Sequence, residues 1–288
     1  MVGKNTVFQQ KSTLNVRDKL LDLSKPKIMG VLNLTPDSFY DGGRNNNINN
    51  ALQKTEQLLS EGAELIDIGA YSSRPGAEHI SEKTESDRLI PVLQAIVKEY
   101  PDAILSIDTF RSEIARTAVN EGAGIINDIS AGSLDPEMFQ TIAALGVPYI
   151  MMHMKGTPQT MASQNVYDDI TTEVLQYFAS RIHTLNSMGV NDLIIDPGFG
   201  FAKNLEQNYE LLANLEYLRS VGHPILVALS RKSMIYKLLD TDAEHALNGT
   251  TAANTIALIK GANILRVHDV KAAIEAVKIV NQINIIRY

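Results

Sequence analysis

At 288 residues the chain can bury one large core or two smaller ones. A formal net charge of −7 and an isoelectric point near 5.4 argue against a nucleic-acid or anionic-membrane binder, which needs a basic face, but leave room for a local cationic pocket. With no cysteine, disulfides, thiolate metal sites and a Cys nucleophile are excluded.

The first twenty residues hold no apolar core of signal-peptide length, and no stretch is long enough to span a bilayer, so the expected location is the cytoplasm. Residues 1–26 are polar with scattered apolar positions and read as an N-terminal extension packed on one end of the domain. A short hairpin of Thr6 to Gln10 against Thr13 to Val16 is expected there. Residues 27–288 then read as one barrel domain. An apolar run, Ile28 to Leu32, ends at Asn33 and passes into a loop rich in turn residues, Thr35 to Gly43.

Helical spacing follows over Ile48 to Ser60, stopped by Gly62, and Glu64 to Ala70 reads as a buried strand. After a second polar loop, Tyr71 to Ile80, a helix opens at Ser81 with Ser81 and Thr84 as candidate caps; the charges from Ser81 to Arg88 read as its solvated face. The alternation continues with strands at 103–108, 124–129, 148–154, 192–196, 225–230 and 263–267. Helices are expected at 112–121, 136–145, 167–188, 205–221, 250–260 and 271–282, with a helical insert near 234–239. About eight strand–helix units in this length fit a closed (β/α)8 TIM barrel, an α/β fold with parallel strands covered by helices. The competitor, an open doubly wound sheet, would more often carry a glycine-rich fingerprint after its first strand, and none is present.

Barrel enzymes place their chemistry at the C-terminal ends of strands. Those ends here are Asn33, Asp67, Asp108, Asn127 with Asp128, Met152-His153-Met154, Asp196, Ser230-Arg231-Lys232 and Arg266-Val267-His268. Each lone Asp could be only a helix cap. Asp128 faces opposite to Asn127 and reads as structural, as does Asp67; His153 reads as a core histidine. Arg266 and His268 share a strand face, and the next helix would aim free N–H groups at the same spot, a phosphate-site arrangement whose alternative is a surface ion pair with Asp269. Asp108, Asn127, Asp196 and Lys232 together suit a flat heterocycle with several donors and acceptors, unless they form a structural ion-pair ring.

The segments NLTPDSFYDGG (33–43), SSRPGA (72–77), SIDT (106–109), NDIS (127–130), MHM (152–154), DPGFGF (196–201), SRKS (230–233) and RVHD (266–269) resemble, in order, those of the dihydropteroate synthase family. The resemblance implies a folate-pathway transferase joining (7,8-dihydropterin-6-yl)methyl diphosphate to 4-aminobenzoate, with Mg2+, as a homodimer. It implies a pterin pocket of Asp108, Asn127, Asp196 and Lys232 walled by Met152 and Phe201. Arg266, Val267 and His268 fall at the diphosphate, and Asp108, Lys232, Arg266 and His268 would carry the catalysis. Asn33 is the implied metal ligand, with Asp41 beside it. Ser73, Arg74 and Pro75 would meet the aminobenzoate, with Ser230 near its carboxylate. The first two loops would close over the site, helped by glycines 42, 43 and 76. Two departures touch the aminobenzoate side: Ser73 stands for the family's threonine, and Tyr71 where an acidic residue is frequent.

Two other readings use the same residues. A methyltetrahydrofolate-type pterin carrier would share the Asp and Asn contacts but have no use for Arg266 and His268 at a diphosphate. A non-catalytic scaffold could do without Lys232 or Arg266.

Overall fold

A computed structural model describes residues 10–34, 44–72 and 78–286. Strands β3 (Lys27–Asn33), β4 (Leu65–Gly69), β5 (Ile104–Asp108), β6 (Ile125–Asp128), β7 (Tyr149–Met152), β8 (Leu193–Asp196), β9 (Leu226–Val227) and β10 (Ile264–Val267) form one parallel sheet. Its order, β8-β7-β6-β5-β4-β3-β10-β9, closes on itself through a parallel bridge between Ile195 and Ile225. The expected (β/α)8 barrel is therefore the fold. The covering helices are α1 (Arg44–Ser60), α2 (Glu82–Glu99), α3 (Ser112–Asn120), α4 (Met138–Leu145), α5 (Ile170–Ser187), α6 (Leu205–Ala213), α7 (Ser233–Leu238), α8 (Leu247–Ile259) and α9 (Val270–Ile286).

Strand periodicity sorts the side chains into two layers. Ile28, Ile66, Leu105, Ile126, Ile195, Leu265 and Val267 point outward and join the helices' buried faces in the main core. Met29, Leu65, Ile125, Ile150, Ile194, Leu226 and Ile264 point inward and fill the lower barrel. Two residues further along, the same inward rows carry Asp67, Ser106, Asn127, Met152, Asp196, Ala228 and Arg266. The polar mouth thus follows from one register above an apolar floor.

Three features go beyond what was expected. β1 (Thr13–Val16) pairs with β2 (Lys19–Asp22) as an antiparallel hairpin. Arg17 and Asp18, at φ 51° and 61°, make the tight turn, and a two-residue turn with both centres left-handed suits strand twist. Most of the segment 6–10 lies outside the described residues. Second, the helix expected over 205–221 ends at Ala213 and continues as a 3₁₀ stretch, Leu215–Val221. Third, the solvated face expected at 81–88 holds one buried exception. Ser81 does cap α2, accepting from Thr84 N–H at 3.1 Å, but Glu85 is fully buried. It accepts from Thr109 Oγ1 at 2.7 Å and pairs with Arg111, whose Nη2 donates to Ile80 O at 2.6 Å. A charge on the inner stripe of a helix is tolerable only when partnered this way.

Candidate active site

Arg266, at the end of β10, reaches across the barrel. Its Nε donates to Asp67 Oδ2 at 2.6 Å and its Nη2 to Asp108 Oδ2 at 2.9 Å. Asn127 Nδ2 donates to the same Asp67 oxygen at 3.0 Å. The alternative of an Arg266–Asp269 pair is not what forms. Asp269 is instead held by Arg231, whose Nε and Nη2 each reach it at 2.9 Å. Arg231 sits at φ 56°, and this left-handed kink turns its guanidinium outward while Lys232 comes to the mouth. Asp67, expected to be structural, is the inner anchor of the cluster and is fully buried.

The charges around this anchor perturb one another. Burial pushes the Asp108 carboxyl up, to about 7, against the pull of Arg266. Burial also raises Asp196, with Lys232 and Gly198 N–H opposing it. Burial lowers Lys232 to about 8, with Asp196 pulling the other way. For Arg266 burial works against the charge, yet Asp67 and Asp108 outweigh it and hold the guanidinium firmly protonated. Two carboxylates, a guanidinium and an ammonium, all tuned by one another, form a single electrostatic unit suited to binding a heterocycle through paired donors and acceptors.

The turn after β8 supplies the rest. Asp196 Oδ1 accepts from Gly198 N–H at 2.8 Å. Gly198 has φ 70°, and a Cβ there would lie 2.0 Å from His153 O, so only glycine fits. Lys232 Nζ donates to Phe199 O and stands 4.7 Å over the Phe201 ring. Phe201 and Met152 share an apolar cluster with Tyr71, Phe110, Ile129 and Met154 on the same side of the mouth. His153 is a buried core histidine, its ring 4.7 Å from that of Tyr177, and burial together with neighbouring cations drives its pKa down to about 2. Asp128 is structural as expected: it accepts from Ser130 N–H at 2.7 Å, Gly132 N–H at 2.8 Å and Tyr149 OH at 2.6 Å.

At the other side, Ser230 Oγ accepts from His268 N–H at 3.2 Å and lies 3.1 Å from its Nδ1, just before α9 begins. The Val267 side chain is packed in the outer core, because the period of two turns it away from Arg266 and the mouth, which leaves only its backbone to meet a substrate. Asn33 ends β3 on the inward face, in register with Gly69, itself in register with Asp108. No group of three His, Asp or Glu side chains able to hold a metal occurs among the described residues. A site of that kind suits Mg2+ only where the ion keeps waters and takes substrate oxygens, with Asn33 as a single protein ligand. Asp41, Ser73, Arg74, Pro75 and glycines 42, 43 and 76 lie outside the described residues.

Sequence reasoning missed three groups. Lys203, two residues past a glycine-rich turn, has no local signal in the sequence, yet its Nζ donates to Gly198 O at 2.9 Å and Phe201 O at 3.0 Å. Burial brings this amine down to about 7. The Glu85–Arg111 pair and the anchoring role of Asp67 were missed because they join separate elements, which no local spacing reveals.

Residues 29–268 match the family model described as pterin binding enzyme. The chain is 44% identical to the dihydropteroate synthase of Escherichia coli (strain K12), over 90% of this chain and 92% of that one. It superposes at a TM-score of 0.89 on Yersinia pestis dihydropteroate synthase in a sulfonamide drug complex, with 43% identity over 94% of this chain and 99% of the other. The Xanthomonas albilineans enzyme in complex with 7,8-dihydropteroate matches at 0.84, with 37% identity over 94% and 98% of the two chains. With the barrel, the ordered motifs and these relatives in agreement, the chain belongs to the pterin-binding enzymes, among the dihydropteroate synthases.

Proposed function

We propose that this barrel mouth joins (7,8-dihydropterin-6-yl)methyl diphosphate to 4-aminobenzoate, releasing diphosphate and 7,8-dihydropteroate. The observation that carries this is the cluster of Asp108, Asn127, Asp196, Lys232 and Arg266 at one mouth beside the apolar Met152 and Phe201. A relative of the same fold is described in complex with 7,8-dihydropteroate, the product of this reaction.

In this reading Asp196 accepts from the 2-amino and ring N–H edge of the pterin, and Lys232 donates to the opposite edge. Asn127, steadied by Asp67, and Asp108 complete the recognition. Met152 and Phe201 face the flat ring. The carbon–oxygen bond to the diphosphate breaks, the electron-rich pterin delocalises the resulting positive charge, and the arylamine nitrogen forms the new bond and loses its proton. Asp108, beside the reducible ring, stabilises that developing charge in its ionised form. Arg266, His268 and the N–H groups opening α9 neutralise the departing diphosphate. Mg2+, held by Asn33 and the substrate's own oxygens, would supply further charge neutralisation there.

A second copy of the chain is part of the proposal. An apolar pocket of about 300 Å³ opens between α6, α7 and α8, lined by Leu212, Ile235, Leu238, Leu239, Ala253 and Ile256. Leu238, Leu239, Ile256 and Ile259 are all about half exposed on that side, an apolar grouping that a homodimer would cover. No helix among the described residues is long and apolar enough to cross a membrane. A charged diphosphate ester does not cross a bilayer unaided, so the reaction is placed in the cytoplasm where such a substrate would be made.

The experiment mixes the chain with the pterin diphosphate, 4-aminobenzoate and Mg2+ and follows diphosphate release. Turnover dependent on both substrates is expected. Pterin binding with no diphosphate release would favour the carrier reading instead.

A further inference from the structure

We propose that Arg231 is a positioning residue that prepares the N-terminus of α9 for the departing diphosphate, by drawing the Asp269 carboxylate away from it. The inference rests on the diphosphate reading above. Asp269 stands at the N-cap position of α9, since its carbonyl accepts the first bond of the helix, from Ala273 N–H at 3.2 Å. An aspartate in that place ordinarily turns its carboxylate onto the N–H groups two or three residues further on, here those of Lys271 and Ala272. This one is turned elsewhere. Its Oδ2 and Oδ1 accept from Arg231 Nε and Nη2, both at 2.9 Å, and among the described residues it takes no N–H group of α9. The Arg231 bonds also hold the Asp269 carboxyl below the usual carboxylate range, so it is a full anion at neutral pH. The positive end of α9 is thereby left to a ligand instead of to its own cap.

Arg231 is itself held from behind. Its Nη1 donates to Ala243 O at 2.9 Å and Glu244 O at 2.7 Å, carbonyls of the segment between α7 and α8. Its backbone N–H donates to Thr250 Oγ1 on α8 at 3.1 Å, with the backbone left-handed at φ 56°. A planar guanidinium fixed in this way offers Asp269 two parallel bonds, which a lysine could not. The neighbouring residues repeat the grip on the mouth side, where Ser230 Oγ accepts from His268 N–H at 3.2 Å. Two consecutive residues after β9 therefore hold the two residues that lead into α9. The chemistry shows what the outer of these two contacts protects. A carboxylate folded over the first turn of α9 would occupy the N–H groups that the diphosphate needs, and would repel the diphosphate as a like charge. Pairing with Arg231 removes both penalties at once.

A clamp that only held the fold together and a residue that withholds a rival anion predict opposite results when Asp269 is removed as well. With the full chain and Mg2+, calorimetry with inorganic pyrophosphate separates them. Arg231→Met should raise the Kd at least tenfold, because the released carboxylate turns onto α9. Asp269→Ala, which can neither cap nor repel, should stay within threefold of the unchanged chain. Arg231→Met combined with Asp269→Ala should also return to within threefold, so that the second substitution repairs the first. If Arg231→Met does not fold, Arg231→Gly, which suits the left-handed backbone and lacks the guanidinium, carries the same comparison. A folded Arg231 variant with a Kd within threefold of the unchanged chain overturns the inference. So does a double variant as weak as the Arg231 single, or an Asp269→Ala loss as large as that of Arg231→Met, either of which marks a purely structural pair. An unchanged chain that binds pyrophosphate but turns nothing over refutes the proposed reaction alone, and the same four Kd values still decide the role of Arg231. An unchanged chain that binds no pyrophosphate with Mg2+ refutes the diphosphate reading and this inference with it.

Discussion

Removing Arg266 should cost the fold as well as the reaction. Its guanidinium makes two charge-assisted bonds, 2.6 Å to Asp67 and 2.9 Å to Asp108, and Asp67 is wholly buried. Taking one partner from a buried ion pair typically costs about 3–5 kcal/mol, because the remaining charges are left uncompensated. The Arg266 side chain keeps 19% exposure at the mouth, and so does nearly Asp108 at 18%. Water can therefore reach part of the cluster, and the lower end, about 3 kcal/mol, is the expected loss for Arg266→Ala. The partner is tested by a double-mutant cycle with Asp67→Asn, which removes the buried charge while keeping the shape. Contacting charged groups couple by about 1–3 kcal/mol, so the double variant should be more stable than the sum of the singles by that amount. Urea unfolding of the four proteins gives the cycle. A coupling below about 0.5 kcal/mol, the level of independent sites, would refute Asp67 as the anchor of Arg266. Turnover should fall further than pterin affinity, since Arg266 serves the leaving group, but pterin affinity should fall too, because Asp108 loses its cation.

Three other outcomes follow from the same geometry. Asp196→Asn should weaken pterin binding by about 2–4 kcal/mol, the range for a charged buried hydrogen-bond pair, and a loss under 1 kcal/mol in calorimetry would move the pterin elsewhere. Gly198→Ala should destabilise the fold by more than about 3 kcal/mol, combining a left-handed φ with a backbone clash; thermal unfolding within about 1 kcal/mol of the parent would contradict the turn geometry. His153 has its pKa lowered from 6.5 to about 2 on folding. The unfolded chain thus binds a proton that the folded chain does not between those values, so this residue makes stability fall as pH drops through 6.5. From pH 7 to pH 5 its share is about 2 kcal/mol, which should be absent from a His153→Gln variant in paired urea titrations; equal pH slopes in the two proteins would count against it.

The barrel was legible because buried parallel strands read as apolar runs and each run ended in a polar residue. The mouth was legible for the same reason: a period of two separates Asn127 from Asp128 and Arg266 from Val267 without any coordinates. What escaped was contact between elements far apart in the chain. Nothing local to Glu85 says that Arg111, from the next unit, will meet it, and nothing local to Asp67 says that Arg266 will arrive from the far end of the chain. Lys203 escaped because a lysine after a glycine turn is ordinarily solvated; only the left-handed winding at Gly198, Gly200 and Ala202 turns carbonyls onto it. The β1–β2 hairpin escaped because the Arg17-Asp18 corner lacks the glycine that usually marks such turns.

The β1–β2 hairpin has a consequence for how the molecule is made. Leu14, Val16, Leu21 and Leu23 cap the bottom of the barrel against Ile125, Ile194, Leu226 and Ile264. Gln10 also bonds Asn263, 253 positions away along the chain. The stopper is synthesised first, yet the rim it seals is complete only after the last strand has emerged. A nascent chain must hold four leucine-class side chains without their seat until synthesis is nearly over, and closing so long a loop is slow. The interval before that seal forms is when this protein should be most exposed to aggregation and proteolysis.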